Sequence, residues 1–174
     1  MKQHISSDVF QYNFINTFPG DQSGNLTSRQ TPGVLYSKAL PTPVNKPKLL
    51  AWSDDLAAEL GLEKPNEEDI AMLGGNLVTP SMQPYALCYA GHQFGNWAGQ
   101  LGDGRAICLG EWEAPGKGKW EVQLKGAGRT AYSRRAAGGS AFLAERVSHE
   151  RSHALPGCAY HQGTQSCGYR RSGG

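Results

Sequence analysis

Two segments in the first half of the chain have the hydrophobic spacing of short helices. Apolar residues recur three and four positions apart between Ser53, a favourable N-cap, and Gly61, which favours a helix C-terminus. Asn66 begins a similar segment with acidic residues in its first turn, and Ile70 and Leu73 are predicted to face inward. Both helices are interpreted as structural, because neither carries a recognisable site.

Alternation of polar and apolar residues predicts strands further along the chain. Residues 120–125 alternate with a period of two, with Val122 and Leu124 apolar, and residues 100–111 form a second candidate strand with a glycine turn near its start. A polar tip at 115–119 joins the two strands into a hairpin. These strands are expected to form one apolar face from Leu101, Ile107, Leu109, Val122 and Leu124.

The two ends of the chain lack such periodicity. Residues 1–47 are interrupted by five prolines and are predicted to form an extended arm, with a short strand near 34–36. Residues 137–174 contain no Lys, Asp, Asn, Ile, Met or Trp and have no steady apolar period. We therefore divide the chain into the arm 1–47, a lobe at 48–136, and an aberrant, disordered tail at 137–174 that does not pack onto the lobe.

Composition and charge exclude several classes of protein. A net charge of +2 gives no reason to expect nucleic-acid binding, and no apolar run is long enough for a membrane helix. The first 20 residues do not have the pattern of a secretory signal, and the four cysteines form no Cys-x-x-Cys pair. The expected location is cytoplasmic, with reduced thiols.

The glycine turn and the following lysine are the candidate chemistry. In residues 102–105, Gly102 and Gly104 would let the backbone approach a polyphosphate, and Arg105 offers a planar set of donors, although the segment could also be an ordinary turn. Lys125 is either a solvated side chain or a phosphate ligand. A glycine-turned strand, a tip and a lysine-bearing strand follow the order of a kinase-type nucleotide lobe.

Other candidate sites are weaker. The sequence fits neither the dinucleotide fingerprint nor the Walker loop. His92, among glycines and aromatics, is interpreted as structural. The histidines and cysteines within 149–167 fit no standard zinc spacing, so no metal site is expected.

Four ordered motifs together resemble the selenoprotein O family, also called YdiU. They are Tyr-Ala-Gly-His-Gln-Phe-Gly at 89–95, Gln-Leu-Gly-Asp-Gly-Arg-Ala at 100–106, Gln-Leu-Lys-Gly-Ala-Gly-Arg-Thr at 123–130, and Tyr-Ser-Arg at 132–134. The resemblance implies an α+β fold: the N-terminal part of a protein-kinase-like (pseudokinase) fold, with a small antiparallel sheet and flanking helices. The implied activity is AMPylation, the transfer of AMP from ATP to Ser, Thr or Tyr hydroxyls of proteins with Mg²⁺ or Mn²⁺.

The resemblance also implies roles for individual residues. Gly102, Gly104 and Arg105 would contact the nucleotide phosphates, and Lys125 would bind phosphate. The implied partners are ATP and protein substrates. The catalytic base and the metal-binding Asn and Asp of the family belong to a C-terminal lobe, so no catalytic or metal-binding residue is assigned within this chain.

The sequence departs from the family pattern near its end. Ala131 replaces a usual proline, and Ala137 stands where the family has Asp. The tail is explained by a frameshift from about Ala137, because one shifted codon register yields family-like sequence in two separate stretches. The helix glutamate that pairs with the family lysine would then be missing.

We therefore expect a truncated adenylyltransferase that transfers no AMP by itself and binds ATP no tighter than millimolar. The alternatives are a catalytically inactive fragment, such as a pseudogene product, that at most binds nucleotide weakly, and a small binding module with a new tail.

Overall fold

The computed structural model describes residues 3–133 and a strand at 143–148. Both predicted helices form with the expected caps. Ser53 accepts a hydrogen bond from the Leu56 amide, and Gly61 ends its helix with a positive φ of 71°. The helical elements are a 3₁₀ turn at Ile5–Ser7, α1 at Asn13–Thr17, α2 at Asp54–Leu60 and α3 at Glu67–Leu73.

The strands of the described residues form one small mixed sheet. They are β1 at Gly20–Asp21, β2 at Tyr36–Lys38, β3 at Tyr85–Gln93, β4 at Asn96–Gly102, β5 at Ala106–Ala114, β6 at Gly118–Lys125 and β7 at Leu143–Ser148. Their order is β1-β2-β3-β5-β6-β7, with β4 also paired to β3. The α+β class is confirmed, but the expectation of a wholly antiparallel sheet was wrong, because β1 and β2 run parallel.

The predicted hairpin of β5 and β6 forms the centre of the core. Ile107 lies opposite Leu124 across this pair, and both side chains are fully buried. Leu109 is also buried, whereas Val122 is only partly buried against the core. The predicted apolar face therefore forms, although Leu101 is only half-buried and lies outside the core cluster.

Strands β4 and β5 are two parts of one run along β3, separated by a bulge. Cys88 of β3 lies opposite Gly102, but Tyr85, three residues back, lies opposite Cys108, six residues further on. Residues 103–105 are the three additional residues, and they loop out of the pairing. The predicted glycine turn is therefore a bulge within a long bent strand.

The N-terminal arm packs against the sheet at a second bulge, in β5. Gly110 has a φ of 140° there, and a Cβ on it would lie 2.9 Å from the Tyr12 ring. The Tyr12 hydroxyl donates to the Leu109 carbonyl at 3.2 Å and accepts from the Gln83 amide at 2.6 Å. Burial raises the pKa of Tyr12 to about 12. The arm thus supplies part of the core, and its strand lies at Tyr36–Lys38, close to the predicted 34–36.

Helix α3 turns a carboxylate toward the core, and the sequence did not predict this. Ile70 and Leu73 are only half-buried, whereas Asp69 and Met72 are buried. Asp69 accepts hydrogen bonds from the Ser6 amide at 2.9 Å and the Asn66 amide at 3.1 Å, and lies 2.7 Å from His4 Nδ1. Although burial opposes ionisation, these hydrogen bonds lower the Asp69 pKa.

Six residues of the tail form a strand. Strand β7 runs antiparallel to β6, with Leu143 opposite Lys125 and Ser148 opposite Trp120. Over these residues the structure differs from the expected unpacked tail. A strand can pair with an open sheet edge through its main chain alone, whatever its pattern of side chains. Hydrophobic periodicity therefore did not predict β7. The histidines and cysteines within 149–167, which were not expected to bind zinc, lie outside the described residues.

No helix among the described residues is both long and apolar enough to span a bilayer.

Candidate functional site

The structure places Arg105 and Lys125 at the same end of the β5–β6 pair. Ala106 lies opposite Lys125, and the Gly126 amide donates to the Arg105 carbonyl at 2.7 Å. Arg105 is exposed, and Lys125 is half-buried. Gly104 and Arg105 therefore lie in the bulge itself, Gly102 directly precedes it, and Lys125 lies on the strand beside it.

Gly102 and Gly104 lie under a later segment of the chain, residues 130–133, which we call the clasp. A Cβ on Gly102 would lie 2.4 Å from the Tyr132 ring, and one on Gly104 would lie 3.0 Å from the Tyr132 carbonyl oxygen. Neither glycine has a positive φ. Close packing of the clasp is thus sufficient to require glycine at both positions, and their contact with a polyphosphate stays a prediction.

Hydrogen bonds fasten the clasp to the bulge. The buried Thr130 hydroxyl donates to the Asp103 carbonyl at 2.6 Å, and the Ser133 hydroxyl donates to the Gly104 carbonyl. Inside the clasp, the Tyr132 amide donates to Thr130 Oγ1 at 3.1 Å. Sequence reasoning quoted these residues within motifs but gave them no role. The sequence feature that could have indicated the clasp is its cluster of hydroxyl side chains, Thr130, Tyr132 and Ser133, shortly after the lysine-bearing strand.

The bulge carries a half-buried carboxyl group, that of Asp103, to which the sequence assigned no role. Asp103 Oδ2 accepts from Gln123 Nε2 at 3.1 Å and from the Leu87 amide at 3.4 Å. Burial raises the pKa of Asp103 to about 6, although the charge of Lys125 opposes that shift. This group therefore titrates close to neutral pH, beside the predicted ligands.

The alternation in β6 indicated a polar face, yet that face is not fully solvated. Gln123 is only 5% exposed, because its amide is turned onto Asp103. Lys125 lies two residues further along the same face of the strand. Its half-burial distinguishes it from an ordinary surface lysine.

The predicted structural role of His92 has a simple geometric basis. His92 lies opposite Trp97 near the tip of the β3–β4 hairpin, and the two rings meet edge-on with centroids 5.1 Å apart. Among the described residues there is no group of three or more His, Cys, Asp or Glu side chains that could hold a metal ion.

The family model for "Protein adenylyltransferase SelO" matches residues 27–148. That range extends past Ala137, where the sequence analysis placed the departure from the family pattern. Residues 137–148 therefore still match the family model, although the family pattern was expected to end at Ala137. The frameshift stays a hypothesis, which the nucleotide sequence of the gene would test.

Several curated relatives carry the name protein nucleotidyltransferase YdiU. The relative from Cytophaga hutchinsonii is 56% identical over 156 residues, which cover 88% of this chain and 30% of the relative. The relative from Aromatoleum aromaticum is 51% identical, covering 75% of this chain and 26% of its own length. That from Azoarcus sp. is 52% identical, with the same two coverages. The chain thus spans less than a third of the length of these relatives.

Proposed function

Because the chain belongs to the protein adenylyltransferase SelO family, as the match over residues 27–148 shows, we propose that it carries the nucleotide-phosphate-binding part of an adenylyltransferase. The observation that carries this proposal is the register of β5 and β6, in which Ala106 lies opposite Lys125. That register places Lys125 at the edge of the bulge that contains Gly104 and Arg105. The proposed ligand is ATP, and the proposed ligands on the protein are Gly102, Gly104, Arg105 and Lys125.

The chemistry of the two basic residues suits a polyphosphate. Arg105 carries a planar guanidinium group that can present two parallel N–H donors to phosphate oxygens. Lys125 supplies a compact point charge from a strand held in the core. Together they would offset the negative charge that limits the approach of any nucleophile to a phosphorus atom.

The proposed reaction transfers AMP to a protein hydroxyl. The oxygen of a Ser, Thr or Tyr side chain bonds to the α-phosphorus of ATP, and the bond from that phosphorus to the bridging oxygen breaks. Pyrophosphate leaves with the electron pair, and the hydroxyl proton passes to a base or to solvent. Arg105 and Lys125 would bind and orient the phosphates during this exchange.

A divalent metal is implied by the family, but the described residues do not fit one. The carboxylate beside the site, Asp103, is already hydrogen-bonded to Gln123 and Leu87, and no group of three potential ligands surrounds it among the described residues. We therefore assign no Mg²⁺ or Mn²⁺ ligand here and derive no step through the ion.

A second candidate function is weak nucleotide binding without transfer. The observation that favours it is the exposure of Arg105. A charge contact in water contributes only about 0–1 kcal/mol, whereas millimolar affinity needs about 4 kcal/mol. On this basis we expect a dissociation constant for MgATP in the millimolar range.

Calorimetric titration with MgATP tests the binding proposal. Lys125→Ala and Arg105→Ala should each weaken binding by about two- to fivefold, which corresponds to the loss of one charged contact in water. Lys119→Ala is the matched control, because Lys119 is an exposed lysine near the opposite end of the same strand. Equal affinities in Lys125→Ala, Lys119→Ala and the unmodified chain would contradict the proposal.

Incubation with α-labelled ATP, Mg²⁺ and an acceptor protein separates the two candidates. Label transferred covalently to the acceptor, and lost in Lys125→Ala, would establish the transferase. Saturable binding without label would establish the weak binder, which is the outcome that we expect for this chain on its own.

A further inference from the structure

Both main-chain groups of Asp103 make hydrogen bonds, although the residue lies in a bulge. Its amide donates to the Leu87 carbonyl at 2.9 Å, and its carbonyl accepts from Thr130 Oγ1 at 2.6 Å. The main chain is thereby fixed to β3 on one side and to the clasp on the other. This anchoring determines where the side chain can point.

The carboxyl group is half-buried and contacts β6. Oδ2 accepts from Gln123 Nε2 at 3.1 Å and from the Leu87 amide at 3.4 Å. Both donors use the same oxygen, so a neutral side chain of the same shape could satisfy them equally well. The hydrogen bonds alone therefore do not explain why an ionisable group occupies this position.

The charges around the carboxyl group supply that explanation. Alternate residues of a strand share a face, so Glu121 and Lys125 flank Gln123, which contacts Asp103. Lys125 favours the charged form of Asp103, and Glu121 opposes it. The other titratable groups on the neighbouring elements are Arg105 in the bulge, Tyr85, Cys88, Tyr89 and His92 on β3, Cys108, Glu111 and Glu113 on β5, Lys119 on β6, and Tyr132 in the clasp.

We propose that Asp103 is a positioning residue that balances the charge of Lys125 in the empty site and takes up a proton when a nucleotide phosphate arrives. This inference rests on the proposed nucleotide site. An incoming phosphate brings negative charge to Lys125 and so replaces Asp103 as its partner. Two anions cannot share one ammonium group in a poorly solvated site without a cost, and protonation of the carboxyl group removes that cost.

The proposal has a definite pH dependence. Burial places the pKa of Asp103 at about 6 in the empty site, and a bound phosphate raises it further. The bound state then holds more protons than the empty state, so affinity falls as the pH rises through this range. An asparagine at the same position mimics the protonated side chain and lacks the dependence.

Calorimetry with MgATP across pH 5 to 8 tests this dependence with Asp103→Asn. The ratio of the two dissociation constants cancels the titration of the nucleotide itself. At pH 5 we expect the unmodified chain and Asp103→Asn to bind with equal affinity. At pH 8 Asp103→Asn should bind more tightly, by about tenfold for each unit by which the bound phosphate raises the pKa of Asp103. A ratio that stays flat with pH would show a purely structural role and overturn the proposal.

A second measurement does not depend on nucleotide binding. The titration of the Asp103 carboxyl carbon, followed by NMR in the nucleotide-free chain, should move to higher pH by about half a unit or more in Lys125→Ala. Lys119→Ala should leave it unchanged. An unchanged midpoint in Lys125→Ala would overturn the pairing even if ATP binds. The expected shift with no ATP binding would overturn the nucleotide site and its proton uptake but retain the charge pairing.

Discussion

The two hairpins of the sheet differ in how they are stabilised. In β5–β6 the strands are packed against the arm and the core, and most residues of β5 are buried. In β3–β4 the distal half projects from the sheet, where Phe94 is 92% exposed and Trp97 is 63% exposed. The bulge at 103–105 lies where one arrangement gives way to the other.

The difference in burial between the two hairpins predicts that the two sides of a site at the bulge differ in rigidity. Lys125 is carried by the buried hairpin, so its strand is held by the core. Along its distal half the β3–β4 hairpin has main-chain pairing and a ring contact between His92 and Trp97. A ligand at the bulge would thus meet a firm wall on the β6 side and a more yielding one on the β4 side.

Ile107→Ala should produce the largest effect, because it removes buried volume from the firm hairpin. Ile107 is fully buried opposite Leu124, and such truncations destabilise by about 2–5 kcal/mol. Urea unfolding should show this loss, with Ile107→Val near 1 kcal/mol as a graded control. A loss below that of the Val variant would mean that the core does not depend on this pair.

Gly102→Ala tests the junction between the hairpins. The added methyl group would lie 2.4 Å from the ring of Tyr132, which is only 7% exposed and cannot move freely. We expect a loss of about 1–3 kcal/mol by thermal or urea unfolding.

Gly91→Ala is the matched control for this junction. Its methyl group would meet Leu101 at 3.6 Å, an ordinary contact, and its φ is not positive. Equal stabilities of the two variants would show that the clasp does not pack on Gly102 as described.

Phe94→Asn should have the smallest effect and should be stabilising. Phe94 and Gly95 form the two-residue turn of the exposed hairpin, with φ values of 52° and 79°. Asn tolerates this left-handed backbone better than Phe, so stability should rise by up to about 1 kcal/mol. Phe94→Ala keeps the unfavourable backbone and should show no gain. A clear loss in Phe94→Asn would mean that the exposed ring stabilises the hairpin.

Local signals in the sequence determined the helices and the central hairpin. Ser53 and Gly61 bound α2 as predicted, because capping depends on residues close in the chain. The alternation of Val122 and Leu124 identified β6, since a strand buries every second residue. The motifs at 89–134 likewise indicated the family, which the comparisons confirm.

Only the tertiary structure decided the details of the candidate site. The bulge at 103–105, the clasp over Gly102 and the burial of Asp103 arise from contacts between positions about 16 to 30 residues apart. The burial of Tyr12 against Leu109 spans an even longer separation, 97 residues. Periodicity reports which side of an element is apolar, but not which distant segment covers it. For that reason the sequence could suggest Arg105 and Lys125 as candidate ligands, whereas the contacts of the Asp103 carboxylate with β3 and β6 became visible only in the fold.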